Sequence, residues 1–206
     1  MEGSTASRRA RQQERREQRS AITDPDIVLA ASAALLAIRS RTTHELRARL
    51  VKLGYAHELV DVTVDRLLAL GYLDDKAYAR AWVGGRDRSR PRGTAALRRE
   101  LLRKGLGREL VDAALHEREQ DQRAATADAV VGPDEAGPGH GSSADHAAAV
   151  RLLDRRRSAL LREPDLPKRR QRAYALLARN GFDPEVCMDV TRAYLRDADE
   201  VSSELV

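Results

Sequence analysis

Apolar residues recur three and four positions apart along most of the chain, the period of helices rather than the alternation of strands. The first 22 residues are the exception. They are nearly all polar, with six arginines and three glutamates, and have no apolar stripe to bury. The segment therefore reads as a disordered basic tail or a fraying helix, with weak, salt-sensitive affinity for nucleic acid as its functional option. Order is expected from Asp24-Pro25, since Asp caps a helix and Pro is tolerated in its first turn. A helix is predicted over Ile27–Ile38. Thr42 with Glu45 reads as a capping box, opening a helix that buries Leu46, Leu50 and Leu53 and stops at Gly54. A third helix, from His57 to Leu70, carries Leu59, Val60, Val64 and Leu67 and stops at Gly71.

The pattern then repeats. With Gly54, Gly105 and Gly181 as markers, Leu50 matches Leu101 and Leu177, Tyr55 matches Leu106 and Phe182, and Glu58 matches Glu109 and Glu185. Gly54 and Gly105 are 51 residues apart and Gly105 and Gly181 are 76 apart. The excess of 25 coincides with a Gly-, Pro- and acid-rich stretch over 119–143, which reads as an insert. The predicted organisation is a basic tail (1–22), three-helix copies over 23–71, 72–118 and 144–198, the insert (119–143), and a C-terminal tail (199–206). The expected fold is all-α, three tandem helix-turn-helix-like repeats in an elongated, curved stack, with Leu176, Leu177, Val186, Val190 and Leu195 as the core of copy three.

Between copies one and two lies Leu73–Gly93. Asp74 or Asp75 can cap a helix on which Tyr78 and Trp82 share one face, the spacing of a core clamp. The arginines that follow are expected where that helix ends, and Arg90-Pro91-Arg92-Gly93 reads as a loop whose guanidinium groups can reach carboxylates or phosphates.

Composition sharpens this reading. Aromatic residues are only 3% of the chain, scarce for a β core and sufficient for a helical one. The net charge of +5 is unevenly spread. Arg86–Lys104 holds eight basic residues against two acids, and Arg151–Arg179 holds ten against three; both stretches suit a polyanion or an acidic protein groove. Cys187 is the only cysteine, so no intrachain disulfide or Cys-based zinc site can form, and a reducing cytoplasm fits. There is no apolar run of membrane-spanning length, and no partner membrane is expected.

Candidate chemistry is sparse. The five histidines show no metal-ligand spacing, and Gly137-Pro138-Gly139-His140-Gly141 has neither a preceding strand nor a following Gly-Lys-Ser/Thr. No nucleophile–base pair is evident, and capping explains Asp74 and Asp75 more simply than acid–base work. No enzyme, cofactor or metal is expected. The candidate partner- or DNA-binding residues are Arg86, Arg88, Arg90, Arg92, Arg98, Arg99, Arg103, Lys104, Arg169 and Arg170.

The run Leu73-Asp74-Asp75, Tyr78-Ala79, Trp82-Val83, Arg86, Arg90, Gly93, Leu97, Glu100-Leu101 and Lys104-Gly105 resembles the signature of the RecX regulatory proteins, bacterial modulators of the RecA recombinase. The resemblance extends over about Ala30 to Leu195 as three tandem three-helix repeats. It implies a non-enzymatic cytoplasmic protein, acting as a monomer, that binds the RecA filament on single-stranded DNA. Such a protein limits ATP hydrolysis, strand exchange and co-protease activity, with weak non-specific DNA contact. The alternative is a helix-turn-helix protein that binds DNA directly, without RecA.

Overall fold

A computed structural model of the chain describes residues 3–129 and 143–203, and every regular element among them is a helix. The described residues fall into two compact units. The first runs to Tyr78 and includes Lys104–Leu106; the second comprises Ala79–Arg103 and the residues from Gly107 onward.

In the first unit, α2 (Pro25–Ile38), α3 (Thr43–Leu53) and α4 (His57–Ala69) follow the sequence signals closely. The Asp24 carboxylate accepts from the Asp26 amide and Thr42 Oγ1 from the Glu45 amide, so both helices start on a side-chain cap. The capping box is half formed, because Glu45 ion-pairs with Lys104 at 3.0 Å and lies near Arg39. Val28, Leu46, Leu50, Tyr55, Val60, Val64, Leu67 and Leu73 form the core. Each such aliphatic side chain is worth about 1.5–3 kcal/mol against exposure.

Residues Gly3–Ser20 form a helix, α1, where a disordered tail is expected. It has no apolar face, and its docking uses main chain instead. A Cβ on Gly54 would lie 2.8 Å from both the Cα and the carbonyl oxygen of Arg16. Arg19 completes the contact by donating to the Leu53 carbonyl at 3.2 Å and lying over the Tyr55 ring.

The helix α5 (Asp75–Ser89) begins in the first unit and continues into the second. There it is followed by α6 (Thr94–Arg103), α7 (Arg108–Ala129), α8 (Ser143–Asp154), α9 (Arg157–Leu161), α10 (Leu166–Arg179) and α11 (Pro184–Ser203). Three further expectations are corrected. The helix α7 runs past residue 118 into the stretch read as an insert, where the Glu119 carboxylate accepts from the Ala144 amide at 3.0 Å. The remainder of that stretch, 130–142, with its Gly-Pro dipeptides and His140, lies outside the described residues. Within 144–198 there are four helices, since the five-residue α9 interrupts the way from α8 to α10, and α11 continues to Ser203 in the expected C-terminal tail. Leu177, Val186, Val190 and Leu195 are buried as expected, and Leu176 is partly so.

The three marker glycines share a left-handed backbone, with φ of 109°, 81° and 82° at Gly54, Gly105 and Gly181, a conformation nearly closed to other residues. Two of these turns also receive the start of a middle helix from the preceding copy. His44 of α3 lies where a Cβ on Gly105 would sit, and Gly93 with Ala96 of α6 meets Gly181 in the same way. The Gly93 amide donates to the Asn180 carbonyl at 3.1 Å, and Thr42 Oγ1 donates to the Lys104 carbonyl at 2.7 Å.

Gly93 has no positive φ, so its requirement is purely one of space: a Cβ would lie 2.1 Å from the Gly181 carbonyl oxygen. Gly93→Ala is expected to lower unfolding free energy by about 1–3 kcal/mol, the range for overpacking. Gly107→Ala, where nothing lies within 4 Å, should shift it by less than about 0.5 kcal/mol. Urea melts of the two variants check the contrast. Burial raises the Cys187 thiol to about 11, helped by Asp183 and Asp145. Near pH 8 only about one folded molecule in a thousand would then carry the thiolate, so alkylation should follow unfolding rather than the native thiol. A pKa raised in the folded state stabilises fully below the unfolded thiol value and loses that contribution as pH climbs toward about 11.

Candidate functional site

The site residues are placed by a recurring device: a carboxylate on one helix caps another. Asp74 caps its own α5 through the Ala77 amide, whereas the Asp75 carboxylate accepts from the Thr43 amide of α3 at 2.8 Å. In the second unit Asp145 of α8 repeats this, accepting from the Thr94 amide and Oγ1 at the start of α6. Thr43 and Thr94 are 51 residues apart, the repeat distance.

Asp145 is 4% exposed and is balanced by Arg118, which is 7% exposed. Arg118 binds Asp87 through Nε (2.8 Å) and Nη2 (3.0 Å), and Asp145 through Nη1 (2.6 Å). Its remaining N–H groups reach Thr94 Oγ1 and the carbonyls of Ala144 and Arg92. Burial alone would lower the Arg118 pKa, yet Asp87 and Asp145 outweigh it and the net shift is upward. Sequence spacing gave no sign of this network, whose members are 27 and 31 residues apart.

The predicted arginines divide into two groups. Arg86 lies on α5 rather than beyond its end; it donates to Glu100 at 2.8 Å and lies over the Trp82 ring at 4.6 Å. Trp82 Nε1 donates to the same carboxylate at 2.9 Å. Arg92 donates to Asn180 at 2.9 Å, Arg98 pairs with Asp112, and Arg169 donates to the Glu163 carbonyl. Lys104 contacts Glu45 and lies 5.3 Å from the Tyr78 ring centre. Burial would lower its pKa, but hydrogen bonds to Tyr78 and Glu45 raise it overall. Arg88, also on α5, Arg90, Arg99, Arg103 and Arg170 are exposed and carry no ion pair among the described residues. Tyr78 and Trp82 are half-buried, and the core positions of α5 are Ala79 and Val83, so the expected aromatic clamp is corrected to a pair of cation-stacked rings.

A cross-turn ion pair also recurs. Arg47 pairs with Asp61 and Arg98 with Asp112, each joining the second and third helices of its copy. At the equivalent positions of the third copy stand Tyr174 and Met188, 36% and 50% exposed. They line a shallow cleft with Arg170 and Arg192. No group of His, Cys, Asp or Glu able to hold a metal occurs among the described residues, and none of their helices is long and apolar enough to cross a membrane.

Two family models match the chain, the first three-helix domain of RecX over residues 29–67 and the second over 74–115. The regulatory protein RecX of Mycolicibacterium vanbaalenii is 31% identical over 171 residues, covering 81% of each chain. The chain belongs to the RecX family. The RecX proteins of Mycobacterium sp. (strain JLS) and Chlorobium limicola are 34% and 28% identical over 164 and 161 residues. Those matches cover 78% of this chain in both cases, and 78% and 85% of the respective relatives. The crystal structure of RecX from Lactobacillus salivarius shares the fold, with a TM-score of 0.63 over 82% of this chain and 95% of that one at 15% identity. In this RecX-family chain, Arg86 through Lys104 lie in the second matched domain, and α1, Arg169 and Arg170 lie outside both.

Arg118→Leu should destabilise the protein by about 3–5 kcal/mol, because two inward carboxylates lose their cation. Asp87 and Arg118 stand one repeat beyond Leu36 and Leu67, which pack in the first core. The double variant Asp87→Leu/Arg118→Leu should therefore recover part of the loss. Chemical denaturation of both variants checks the order.

Proposed function

We propose that this RecX-family chain is a non-enzymatic, cytoplasmic, monomeric regulator. It binds the RecA filament on single-stranded DNA and mainly inhibits RecA ATP hydrolysis, strand exchange and co-protease activity. The observation that carries this reading is the 31% identity, over 81% of both chains, to a protein named regulatory protein RecX. The side chains add support. Arg88, Arg90, Arg99 and Arg103 are cations left over after internal pairing, and each can meet a carboxylate or a phosphate. Tyr174 and Met188 supply an apolar anchor with an arginine rim, the side-chain set that interfaces favour. Contacts spread over several modules gain through effective concentration, which suits a polymeric partner. Arg86 and Arg92 are engaged within the protein, the first by Glu100 and the Trp82 ring and the second by Asn180.

Co-sedimentation with RecA filaments on single-stranded DNA, together with RecA ATPase rates, tests the reading. The wild-type chain should pellet with the filaments and slow hydrolysis; a chain that does neither overturns the proposal. Reversing Arg88, Arg90, Arg99 and Arg103 to Glu should weaken pelleting about tenfold or more with the melting temperature nearly unchanged, as expected for exposed sites. Undiminished pelleting would remove these four from the interface.

A further inference from the structure

Beyond the RecA reading, and independent of it, we propose that the cleft between α1 and the end of α3 binds the phosphodiester backbone of nucleic acid. The cleft has a volume of about 420 Å³ and is lined by Arg11, Gln12, Arg15, Arg16, Arg19, Lys52 and Leu53, five cations and no acid. Arg11, Arg15, Arg16 and Lys52 are exposed and carry no ion pair among the described residues. The two acids on the same helix, Glu14 and Glu17, do not line the cleft, and Glu17 accepts from Gln13.

A basic tail would be a weak ligand for phosphate because ordering it costs entropy. Here the ordering is built into the fold. Arg16 meets the Gly54 turn chiefly with its main chain, where His44 meets the Gly105 turn with its side chain and Ala96 meets the Gly181 turn with its Cβ and main chain. The helix α1 thus occupies the place that the start of a preceding middle helix takes elsewhere in the repeat. Arg19 is held by the Leu53 carbonyl and the Tyr55 ring. Arg11, Arg15 and Arg19 follow each other four residues apart on one face, a rise of about 6 Å per step. Guanidinium groups set out in this way suit successive phosphates. An acidic protein is the poorer fit, because a protein hot spot needs a desolvated apolar anchor, and the only apolar side chain in this lining is Leu53.

The test is fluorescence anisotropy of a labelled oligothymidylate against salt, with full-length protein and no RecA. This separates its failure from failure of the filament reading. In Arg11→Gln/Arg15→Gln/Lys52→Gln the docking residues Arg16 and Arg19 are kept, and Gln is close to Arg and Lys in helix propensity. Affinity should fall about tenfold at low salt, and the slope of log K against log salt should decrease in magnitude by about 2, three contacts at roughly 0.7 each. Should the triple variant lose helix by circular dichroism, Arg11→Gln and Arg15→Gln singly should each reduce the slope by about 0.7. Unchanged affinity and slope in a folded variant would overturn the proposal. So would displacement of the oligonucleotide by polyglutamate at equal charge, which would mark the cleft as a site for acidic protein.

Discussion

A helix that starts inside a protein leaves amide groups without partners, and the way this chain supplies them organises the rest. The middle helices α3 and α6 begin where the next copy's glycine turn closes on them. The missing acceptors come from Asp75 and Asp145 on other helices. A cap borrowed in this way ties the placement of two helices to one hydrogen-bond set. It also requires the glycine turn to stay bare, because any Cβ at Gly105 or Gly181 would occupy the volume of the incoming residue.

The two borrowed caps are not equally simple. Asp75 sits half-buried near the surface of the first unit, where solvent can share its charge. Asp145 is almost fully enclosed, and a carboxylate taken out of water costs several kcal/mol unless compensated. Arg118 supplies the compensation and brings Asp87 with it, so one cap in the second unit becomes a six-residue network with Thr94, Ala144 and Arg92. The first copy has Leu36 and Leu67 at the positions of Asp87 and Arg118. The ionic cluster therefore gives no advantage in packing that the repeat could not obtain from leucine. What it adds is direction, since the guanidinium fixes how α5, α6, α7 and α8 meet.

Much of the fold was legible because it is written in short-range signals. Glycine stops, Asp and Thr caps and leucines at helical spacing act within a few residues, and they recur at the repeat distance. The failures share the opposite character. The helix α1 docks through main chain against Gly54, which leaves no apolar stripe in the sequence. The middle of α7 is tied to the start of α8 by Glu119, which accepts from an amide 25 residues away. The aromatic pair of α5 misled because four-residue spacing places Tyr78 and Trp82 together without saying which side faces the core; Ala79 and Val83, the smaller residues, take that role. Among the arginines, composition showed a cationic region but could not show which cations are already spent. Glu100, a single carboxylate, holds Arg86 and lies near Arg92, although the sequence balance around it is strongly positive.

That distinction decides where a partner can bind. An arginine with a carboxylate across the glycine turn, as in Arg47–Asp61 and Arg98–Asp112, stabilises its own copy by about 0.2–1 kcal/mol and offers a partner little net charge. Where the pairing lapses, the surface changes kind. In the third copy Tyr174 and Met188 replace the ion pair and expose apolar area. Beside α1 the cleft lining holds five cations and no acid. The same helical scaffold thus presents an apolar patch in one unit and a cationic cleft in the other. The differences lie at positions that the repeat itself does not need for packing.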